Sequence, residues 1–204
     1  MDSKSHWESV YSTKSPDSVS WFQDHAEESL RLIASTRLGS EAAIIDVGGG
    51  ASTLVDDLLA AGFADVSVLD LSAAAMAAAR QRLGAAAGKV AWIEGDITQV
   101  DLPSARFDIW HDRAVFHFLT DAASRRRYVE QVMRAVRPGG HVIVATFAED
   151  GPEQCSGLPV MRYSADELHA EFGDGFKLLA HHKEEHRTPF GRPQQFVYCY
   201  CRIG

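Results

Sequence analysis

Short apolar runs alternate with longer amphipathic stretches along most of this 204-residue chain. Seven runs have the length and composition of β-strands, and they fall at 43–48, 66–70, 90–94, 107–110, 141–147, 176–182 and 196–203. Stretches of helical period separate them at about 52–61, 72–83, 122–136 and 164–170, with Ser72, Asp121 and Ser164 placed as N-caps. Strands and helices that alternate in this way predict βαβ units around a parallel sheet.

The first five runs are apolar almost throughout, which predicts central parallel strands with helices on both faces. The last two are joined by KEEHRTPFGRPQ, which is too short for a crossover helix and predicts an antiparallel pair at the sheet edge. The alternation of residue types in FVYCYCRI, at 196–203, places that strand at the edge. We therefore expect a doubly wound, seven-stranded α/β fold, mostly parallel, with an antiparallel last strand.

The N-terminal segment precedes the sheet and has no strand to follow. Residues 6–38 have a helical pattern that is interrupted at Asp17 and Ser18. We expect residues 1–38 to form a helical cover over the main domain, 39–204, with the whole chain forming one globular unit.

Composition narrows the class of protein. Hydrophobic residues make up 46% of the chain and the formal net charge is −8, which is typical of a globular protein and argues against a nucleic acid or an anionic membrane as the main partner. No apolar stretch approaches the ~18 residues of a membrane span and no signal peptide is evident, so we expect a cytoplasmic protein. The three cysteines, Cys155, Cys199 and Cys201, lack the spacing of a disulfide framework or a zinc site, so no metal is expected.

The segment IIDVGGGASTL, at 44–54, joins a strand to a helix through a glycine turn, which predicts a nucleotide-type pocket. Thr53 stands where a dinucleotide fingerprint has its third glycine, and Asp46 would repel a pyrophosphate, so both disfavour a dinucleotide. S-adenosylmethionine (SAM) carries no phosphate, and its ammonium suits an acidic neighbour such as Asp46. A glycine turn without a ligand is the alternative interpretation.

Two more carboxylates follow the next strands. Asp70 ends the second strand, where it can accept hydrogen bonds from the ribose hydroxyls, and Asp96 follows the third, where it can accept from an adenine amino group while Ile97 packs on the ring. Each of these acids could instead be a helix N-cap. With Asp46 they fall at carboxyl ends of neighbouring strands, which favours one shared cavity.

These features, together with Gly95–Asp96, FDIWHDRAVFHFL at 107–119 and RPGGHVIV at 137–144, resemble class I SAM-dependent methyltransferases over roughly 40–147. The resemblance implies a Rossmann-like sheet, SAM as cofactor and S-adenosylhomocysteine (SAH) as product. It implies cofactor contacts at Gly48, Gly50, Asp70, Leu71, Asp96, Ile97 and His111. We expect Trp7, Tyr11, Asp46 and Gly49 to complete that site.

The segment after the fourth strand is similar to that of small stand-alone bacterial methyltransferases and, distantly, of protein-lysine methyltransferases. The latter carry D-K-G-T-x-D, whereas this chain has Asp112, Arg113, Ala114, Val115, Phe116 and His117. Lysine specificity is therefore not implied, although protein methylation stays an alternative.

Methyl transfer requires alignment, exclusion of water and, for a protonated acceptor, a base. His111 and His117 are the candidate bases, with Asp112 beside them; the alternatives are a pocket wall for His111, an interior histidine for His117 and a structural pair for Asp112 with Arg113. We expect the acceptor to contact Trp21, Arg113, Phe116, Arg162 and Tyr163, the last two in the loop 148–163. The N-terminal aromatic side chains either shield the sulfonium or form the apolar underside of the cover.

The leading hypothesis is a SAM-dependent methyltransferase with a small-molecule acceptor. The alternatives are a protein methyltransferase, a SAM-binding module without catalysis and an NAD-dependent oxidoreductase. The sequence leaves the acceptor open, as it does the choice between monomer and dimer.

Overall fold

The computed structural model describes residues 3–204, in which a seven-stranded sheet lies between two layers of helices. The strands of this sheet are β1 (Ala43–Val47), β2 (Asp65–Asp70), β3 (Val90–Glu94), β4 (Phe107–Arg113), β5 (Val136–Phe147), β8 (Phe176–Arg187) and β9 (Pro193–Ile203). The helices are α1 (Ser3–Thr13), α2 (Glu27–Ser35), α3 (Leu54–Ala60), α4 (Ala73–Leu83), α5 (Ala122–Ala135) and α6 (Ala165–Phe172). A two-stranded ribbon, β6 (Gln154–Cys155) and β7 (Leu158–Pro159), lies apart from the sheet.

The strand order is β3-β2-β1-β4-β5-β9-β8, and β1 to β5 are parallel. Strand β9 runs antiparallel to both of its neighbours. The predicted fold class is confirmed. Because the strand order reverses between β1 and β4, a crevice is expected outside the carboxyl ends of these strands, where open α/β sheets bind ligands.

The predicted edge position of 196–203 is wrong. Strand β9 lies between β5 and β8, and the six residues from Phe196 to Cys201 are all buried. Strand β8 forms the edge instead, with a mostly exposed run of polar residues from His181 to Glu185. The alternation in β9 separates two buried faces, since Tyr198 packs on one side of the sheet and Cys199 on the other.

The two helical layers each have their own core. Ile45 and Val47 of β1 pack with the cluster that contains α5 and α6, whereas Ile44 packs with the cluster that contains α2 and α3. Neighbouring residues of a strand point to opposite faces of the sheet, so this alternation is expected. The same alternation decides which side chains at the strand ends face the crevice.

The N-terminal segment contains two separate helices. The predicted helical region of 6–38 is wrong between them, because α1 ends at Thr13, a short 3₁₀ turn follows at Pro16–Ser18, and residues 19–26 are not helical. Glu8 of α1 accepts hydrogen bonds from the backbone N–H groups of Ala73 and Ala74, at 2.5 and 3.2 Å. Helix α1 is thereby attached to the N-terminus of α4, where a carboxylate is favoured by the helix dipole.

The predicted helix starts of α4, α5 and α6 are confirmed. Ser72, Asp121 and Ser164 each accept a hydrogen bond from a backbone N–H group in the first turn of the helix that follows. Among the described residues, no helix has the length and the apolar character that a membrane span requires.

Candidate functional site

Two adjoining cavities lie at the carboxyl ends of the central strands. The larger has a volume of about 400 Å³ and the smaller about 50 Å³. Tyr11, Trp21, Gly48 and Arg113 line both, so the two cavities share part of their walls. The position matches the crevice that the strand order predicts.

Asp70 is the acidic side chain at the end of β2, and it lines the large cavity. One carboxylate oxygen accepts from the Gly50 N–H at 2.9 Å and the other from the Ser72 N–H at 2.8 Å. Burial raises the pKa of Asp70 to about 6, although these two N–H groups oppose the rise. Each oxygen keeps a second lone pair, so the carboxylate can still accept from a ligand hydroxyl.

Asp96 lines the same cavity together with Leu71 and Ile97. Its Oδ1 accepts from the backbone N–H and the hydroxyl of Thr98, at 2.8 and 2.7 Å, and these bonds fix the direction of the carboxylate. Apolar side chains beside an oriented carboxylate suit a planar heterocycle that carries an amino group.

The glycine turn after β1 lies against both neighbouring strands. Gly48 has a φ of +71°, and a side chain at this position would collide with Val115. A side chain at Gly50 would approach Asp70 Oδ2 to 2.5 Å. Glycine is therefore required here for the close packing of the turn against the ends of β2 and β4.

Asp46 is 2% exposed and lines the small cavity with Gly49 and His111. Its Oδ1 pairs with His111 Nδ1 at 2.7 Å, and His111 Nε2 pairs with the Ser29 hydroxyl at 2.8 Å. Asp46 Oδ2 is buried without a hydrogen-bond partner among the described residues. An unpaired buried carboxylate oxygen is costly, so this atom fits the ammonium group of a ligand.

The three acids predicted to share one site therefore lie in the walls of two adjoining cavities. Asp70 and Asp96 line the large cavity, and Asp46 lines the small one. His111 comes with Asp46, but both of its ring nitrogens are already paired within the chain.

Asp112 points away from both cavities, into the core beneath α5. Its oxygens accept from the N–H groups of Val115 and Phe116, at 2.8 and 3.1 Å, and from the Tyr128 hydroxyl at 2.6 Å. The Tyr128 hydroxyl in turn accepts from Trp110 Nε1 at 2.9 Å. With its carboxylate fully paired and wholly buried, Asp112 is a structural group in this geometry.

His117 and Phe116 also lie outside the cavity walls. Burial lowers the pKa of His117 to about 3, so its ring is neutral at physiological pH. Its Nδ1 accepts from the Phe147 N–H at 3.3 Å. Phe116 is buried among Tyr128 and Phe172. The structure brings neither side chain to the cavities.

Arg113 follows Asp112 and points to the cavity side. Its Nε donates to the Tyr198 hydroxyl at 3.1 Å, its Nη2 lies 3.4 Å from Glu184, and its guanidinium lies 4.1 Å from the Phe196 ring centroid. Only 9% of the side chain is exposed. The positive charge is thus compensated within the wall of the site.

Aromatic side chains from α1 and the following segment line the cavities. Trp7 lies 5.6 Å from Trp21 and 5.1 Å from Phe118, measured between ring centroids, in edge-to-face contacts. Tyr11 lies beside them, and burial raises the pKa of its hydroxyl well above the usual value. The N-terminal aromatic residues therefore form part of the site and are not only a hydrophobic underside of the cover.

The loop 148–163 borders the large cavity, although through residues other than those predicted. Cys155, Leu158 and Pro159 of the β6–β7 ribbon line it. Arg162 instead donates to Gly151 and Glu153, and Tyr163 is buried in the core. The structure brings neither of these two side chains to the cavities.

Several wall residues gave no signal in the sequence. The wall after β4 includes Phe118, Thr120, Asp121 and Ser124, and Ser29 of α2, which lines neither cavity, holds the His111 ring from behind. The sequence predicts Asp121 only as the N-cap of α5, but its side chain also lies at the rim of the large cavity. An acidic N-cap that follows a strand end is the one sequence feature that could have indicated this position.

Residues 44–140 match a family model described as a methyltransferase domain. The eEF1A lysine and N-terminal methyltransferase of Mus musculus is 22% identical over 153 residues, which are 72% of this chain and 22% of that protein. The chain thus spans about a fifth of the length of the curated relatives it matches.

Three solved structures share the fold over nearly the whole chain. One comes from work on the conversion of a disulfide bond into a thioacetal group during echinomycin biosynthesis, with a TM-score of 0.81 and 19% identity, covering 99% of this chain and 92% of that chain. The N-methyltransferase NodS of Bradyrhizobium japonicum WM9, in complex with SAH, has a TM-score of 0.74 and 15% identity, with 99% of each chain covered. The 1,6-didemethyltoxoflavin-N1-methyltransferase of Burkholderia thailandensis, with bound 1,6-didemethyltoxoflavin and SAH, has a TM-score of 0.68 and 19% identity, covering 98% of this chain and 84% of that chain.

Proposed function

We propose that the chain is a class I SAM-dependent methyltransferase, since residues 44–140 match a methyltransferase domain, and that it transfers the methyl group of SAM to a small-molecule acceptor. The observation that carries this proposal is the position of Asp70 and Asp96 in one cavity and Asp46 in an adjoining one, with Gly48 of the glycine turn in the wall of both. An adenosyl amino acid presents the hydroxyls, amino group and ammonium that these carboxylates would accept from.

The residues present fit SAM, since Asp46 Oδ2 is a buried acceptor without a partner. We assign Asp70 to the ribose hydroxyls and Asp96 to the adenine amino group, with Leu71 and Ile97 beside the ring. Asp46 and the backbone of Gly48 to Gly50 would hold the amino-acid end. These assignments follow the wall positions of the side chains.

His111 has a positioning function in this proposal. Because one ring nitrogen pairs with Asp46 and the other with Ser29, the imidazole fixes the direction of the Asp46 carboxylate. Arrangements of this kind hold a binding group in place before the ligand arrives. We therefore do not propose His111, His117 or Asp112 as the base.

SAM supplies a methyl group already activated by the positive charge of its sulfonium. The chain's own contribution is alignment and exclusion of water. Helix α1 covers the site through Trp7 and Tyr11 and is held by Glu8 at the start of α4. Cover of this kind limits the contact of the transferring group with solvent.

The covered site supports a small acceptor over a protein. Helix α1 and the β6–β7 ribbon both form part of the wall of the large cavity, which leaves less room for a protein chain than for a small molecule. Two of the structural neighbours are small-molecule or N-methyltransferases that align over most of both chains, whereas the protein-methylating relative is matched over 22% of its length. Protein methylation is the second candidate.

A calorimetric titration tests the cofactor. We expect saturable binding of SAH to the full chain and no saturable binding of NAD⁺ under the same conditions. Binding of NAD⁺ in place of SAH would support an oxidoreductase and contradict the proposal.

A transfer assay tests the acceptor. Methyl-labelled SAM is incubated with the chain and either pooled small metabolites or a protein extract, and label is expected in the small-molecule fraction. Label in protein alone would favour the second candidate. Binding of SAH without transfer to either fraction would point to a module that has lost catalysis.

The proposal also includes a cytoplasmic location and the absence of a nucleic-acid partner. The three cysteines are all free and buried, which suits a reducing compartment such as the cytoplasm. The net charge of −8 supports the absence of a nucleic-acid partner. Cell fractionation and a gel-shift measurement test these two points.

A further inference from the structure

The wall of the large cavity contains a second set of residues that the cofactor assignments do not use. It includes Trp7, Trp21, Phe118, Asp121 and Ser124. If the first set holds the adenosyl group, this second set faces the acceptor. Its chemistry then indicates the class of acceptor.

Three of these side chains form an aromatic wall, defined as Trp7, Trp21 and Phe118. Trp7 is in edge-to-face contact with both of the others, and all three are half-buried. The faces of such rings are electron-rich and attract cations, most strongly where water is excluded. The aromatic wall therefore favours positive charge on the atom that it surrounds.

The charged groups of this region act in the same direction. Asp121 accepts hydrogen bonds from Ser124, which lowers the pKa of its carboxyl, so it is ionised at neutral pH. The opposing cation, Arg113, is compensated by Glu184 at 3.4 Å and bonded to the Tyr198 hydroxyl. Arg125 and Arg127 lie at the rim beside Thr120 and Asp121, but the lining of the cavity itself contains three carboxyl side chains and one guanidinium, a balance that attracts a cationic partner.

From this aromatic and acidic wall we propose that the acceptor is an amine carried on an aromatic or other apolar scaffold. The inference rests on the proposed function. The nitrogen lone pair forms the new N–C bond while the C–S bond breaks and its electron pair stays on sulfur. The positive charge thus passes from sulfur to nitrogen, and the product ammonium later loses a proton to solvent.

An amine fits the paired ring of His111 as well as the wall. Because both ring nitrogens of His111 are already paired, the bound ammonium loses its proton to solvent, and the neutral amine then attacks without help from a base. A hydroxyl or thiol acceptor ends as a neutral product once its proton is lost, so it would gain little from the aromatic wall and Asp121. An amine product keeps its charge where the wall stabilises it.

The test compares two probes of nearly equal shape, 2-phenylethylammonium and 2-phenylethanol, by calorimetry or tryptophan fluorescence on the SAH-saturated chain. We expect the ammonium to bind at least about fivefold more tightly than the alcohol. In Trp21→Leu this preference falls below about twofold, and Trp21→Phe, which restores a ring face, recovers most of it. Trp92→Leu, outside both cavities, keeps the preference.

A second variant removes the charge alone. Asparagine caps helices as well as aspartate does, so Asp121→Asn keeps the start of α5 and is expected to lower the preference by at least about twofold. Asp101→Asn, near the other end of α5 where Asp101 pairs with Arg134, is the matched control and leaves it unchanged.

The outcomes separate the two proposals. A chain that does not bind SAH contradicts the proposed function and this inference with it. Binding of SAH with equal or weaker binding of the ammonium, with no detectable binding of it, or with a preference that survives in both Trp21→Leu and Asp121→Asn, contradicts the amine inference alone.

Discussion

Asp70 and Asp112 lie at the carboxyl ends of two strands of the same sheet, and burial raises the pKa of each to about 6. Their surroundings differ. The oxygens of Asp112 accept three hydrogen bonds from nearby residues, including the Tyr128 hydroxyl, and no cavity reaches them. Asp70 accepts two backbone N–H groups and lines a cavity of about 400 Å³.

The comparison shows that a raised pKa alone does not distinguish a structural carboxyl from a ligand-binding one. Desolvation raises the pKa in the core and at a ligand site alike, so the shift marks burial and not function. What distinguishes Asp70, which we propose as a binding group, is unused acceptor capacity in the wall of a cavity. Variants at these two positions should therefore divide cleanly into effects on stability and effects on binding.

Removal of Asp112 is expected to have the largest effect. Asp112→Ala leaves the Tyr128 hydroxyl and two buried N–H groups without their acceptor, and we expect the free energy of unfolding to fall by about 3 kcal/mol or more. Chemical denaturation measures this change. SAH affinity of the folded chain should stay within about twofold, and a large loss of affinity with unchanged stability would reverse the assigned functions of Asp70 and Asp112.

Asp70→Asn is expected to weaken SAH binding by about 10- to 100-fold. This range corresponds to the loss of hydrogen bonds to a charged acceptor. Asparagine keeps the shape of the side chain but presents one acceptor oxygen in place of two. Calorimetry measures the affinity, with Asp112→Asn as the matched control. Equal losses of affinity in both variants would show that the cavity does not distinguish the two carboxylates.

The pH dependence of binding provides a third comparison. Because the pKa of Asp70 is about 6, its carboxyl gains a proton as the pH falls, and SAH affinity should drop by up to about tenfold between pH 7 and pH 5. Asp70→Asn should remove most of this dependence, whereas Asp112→Asn should keep it. An affinity that is flat over this range in the unaltered chain would exclude Asp70 as the ionised acceptor.

The same raised pKa values set the direction of the effect on stability. Both carboxyls bind protons more tightly in the folded chain than in the unfolded chain. Their contribution to the free energy of unfolding is therefore complete below a pH of about 4 and is lost as the pH rises through about 6. Denaturation at several pH values measures it.

A variant at Glu8 tests whether the attachment of helix α1 affects ligand binding. Glu8→Gln weakens the attachment of α1 to the start of α4 by about 0.5–1 kcal/mol, and we expect SAH to dissociate about two- to fivefold faster. Stopped-flow fluorescence measures the rate, with the exposed Glu27→Gln as control. An unchanged rate would mean that α1 does not limit release of the ligand.

The end of β4 shows how far the sequence determines the site. His111, Asp112 and Arg113 were all candidates because each follows an apolar strand. Side chains alternate across a strand, so His111 and Arg113 share the cavity face and Asp112 lies on the other. The sequence contains the alternation, but which face holds the cavity depends on the helices that pack against it.

The order of the last two strands shows a similar limit. The short linker between β8 and β9 correctly predicted an antiparallel pair. Which member lies outside depends on pairing with β5, a contact between residues distant in the chain. The exposed polar run of β8 was the better signal of an edge, since charged side chains protect unpaired strand edges.

The acids at the strand ends were predictable because the topology of a parallel sheet brings its carboxyl ends together. The loop 148–163 was predictable only as a border of the cavity. Tyr163 pairs with Ala148 in an isolated bridge, and this contact turns its ring into the core while Leu158 and Pro159 form the wall. Loop side chains are placed by such tertiary contacts, which no local pattern encodes.

A crystal structure of the chain with SAH would show directly whether the two cavities form one cofactor site. We predict the adenosine in the large cavity beside Asp70 and Asp96, with the ammonium of the amino-acid end at Asp46 Oδ2. Density for SAH away from these three carboxylates, or a chain that does not take up SAH at saturating concentration, would contradict this site.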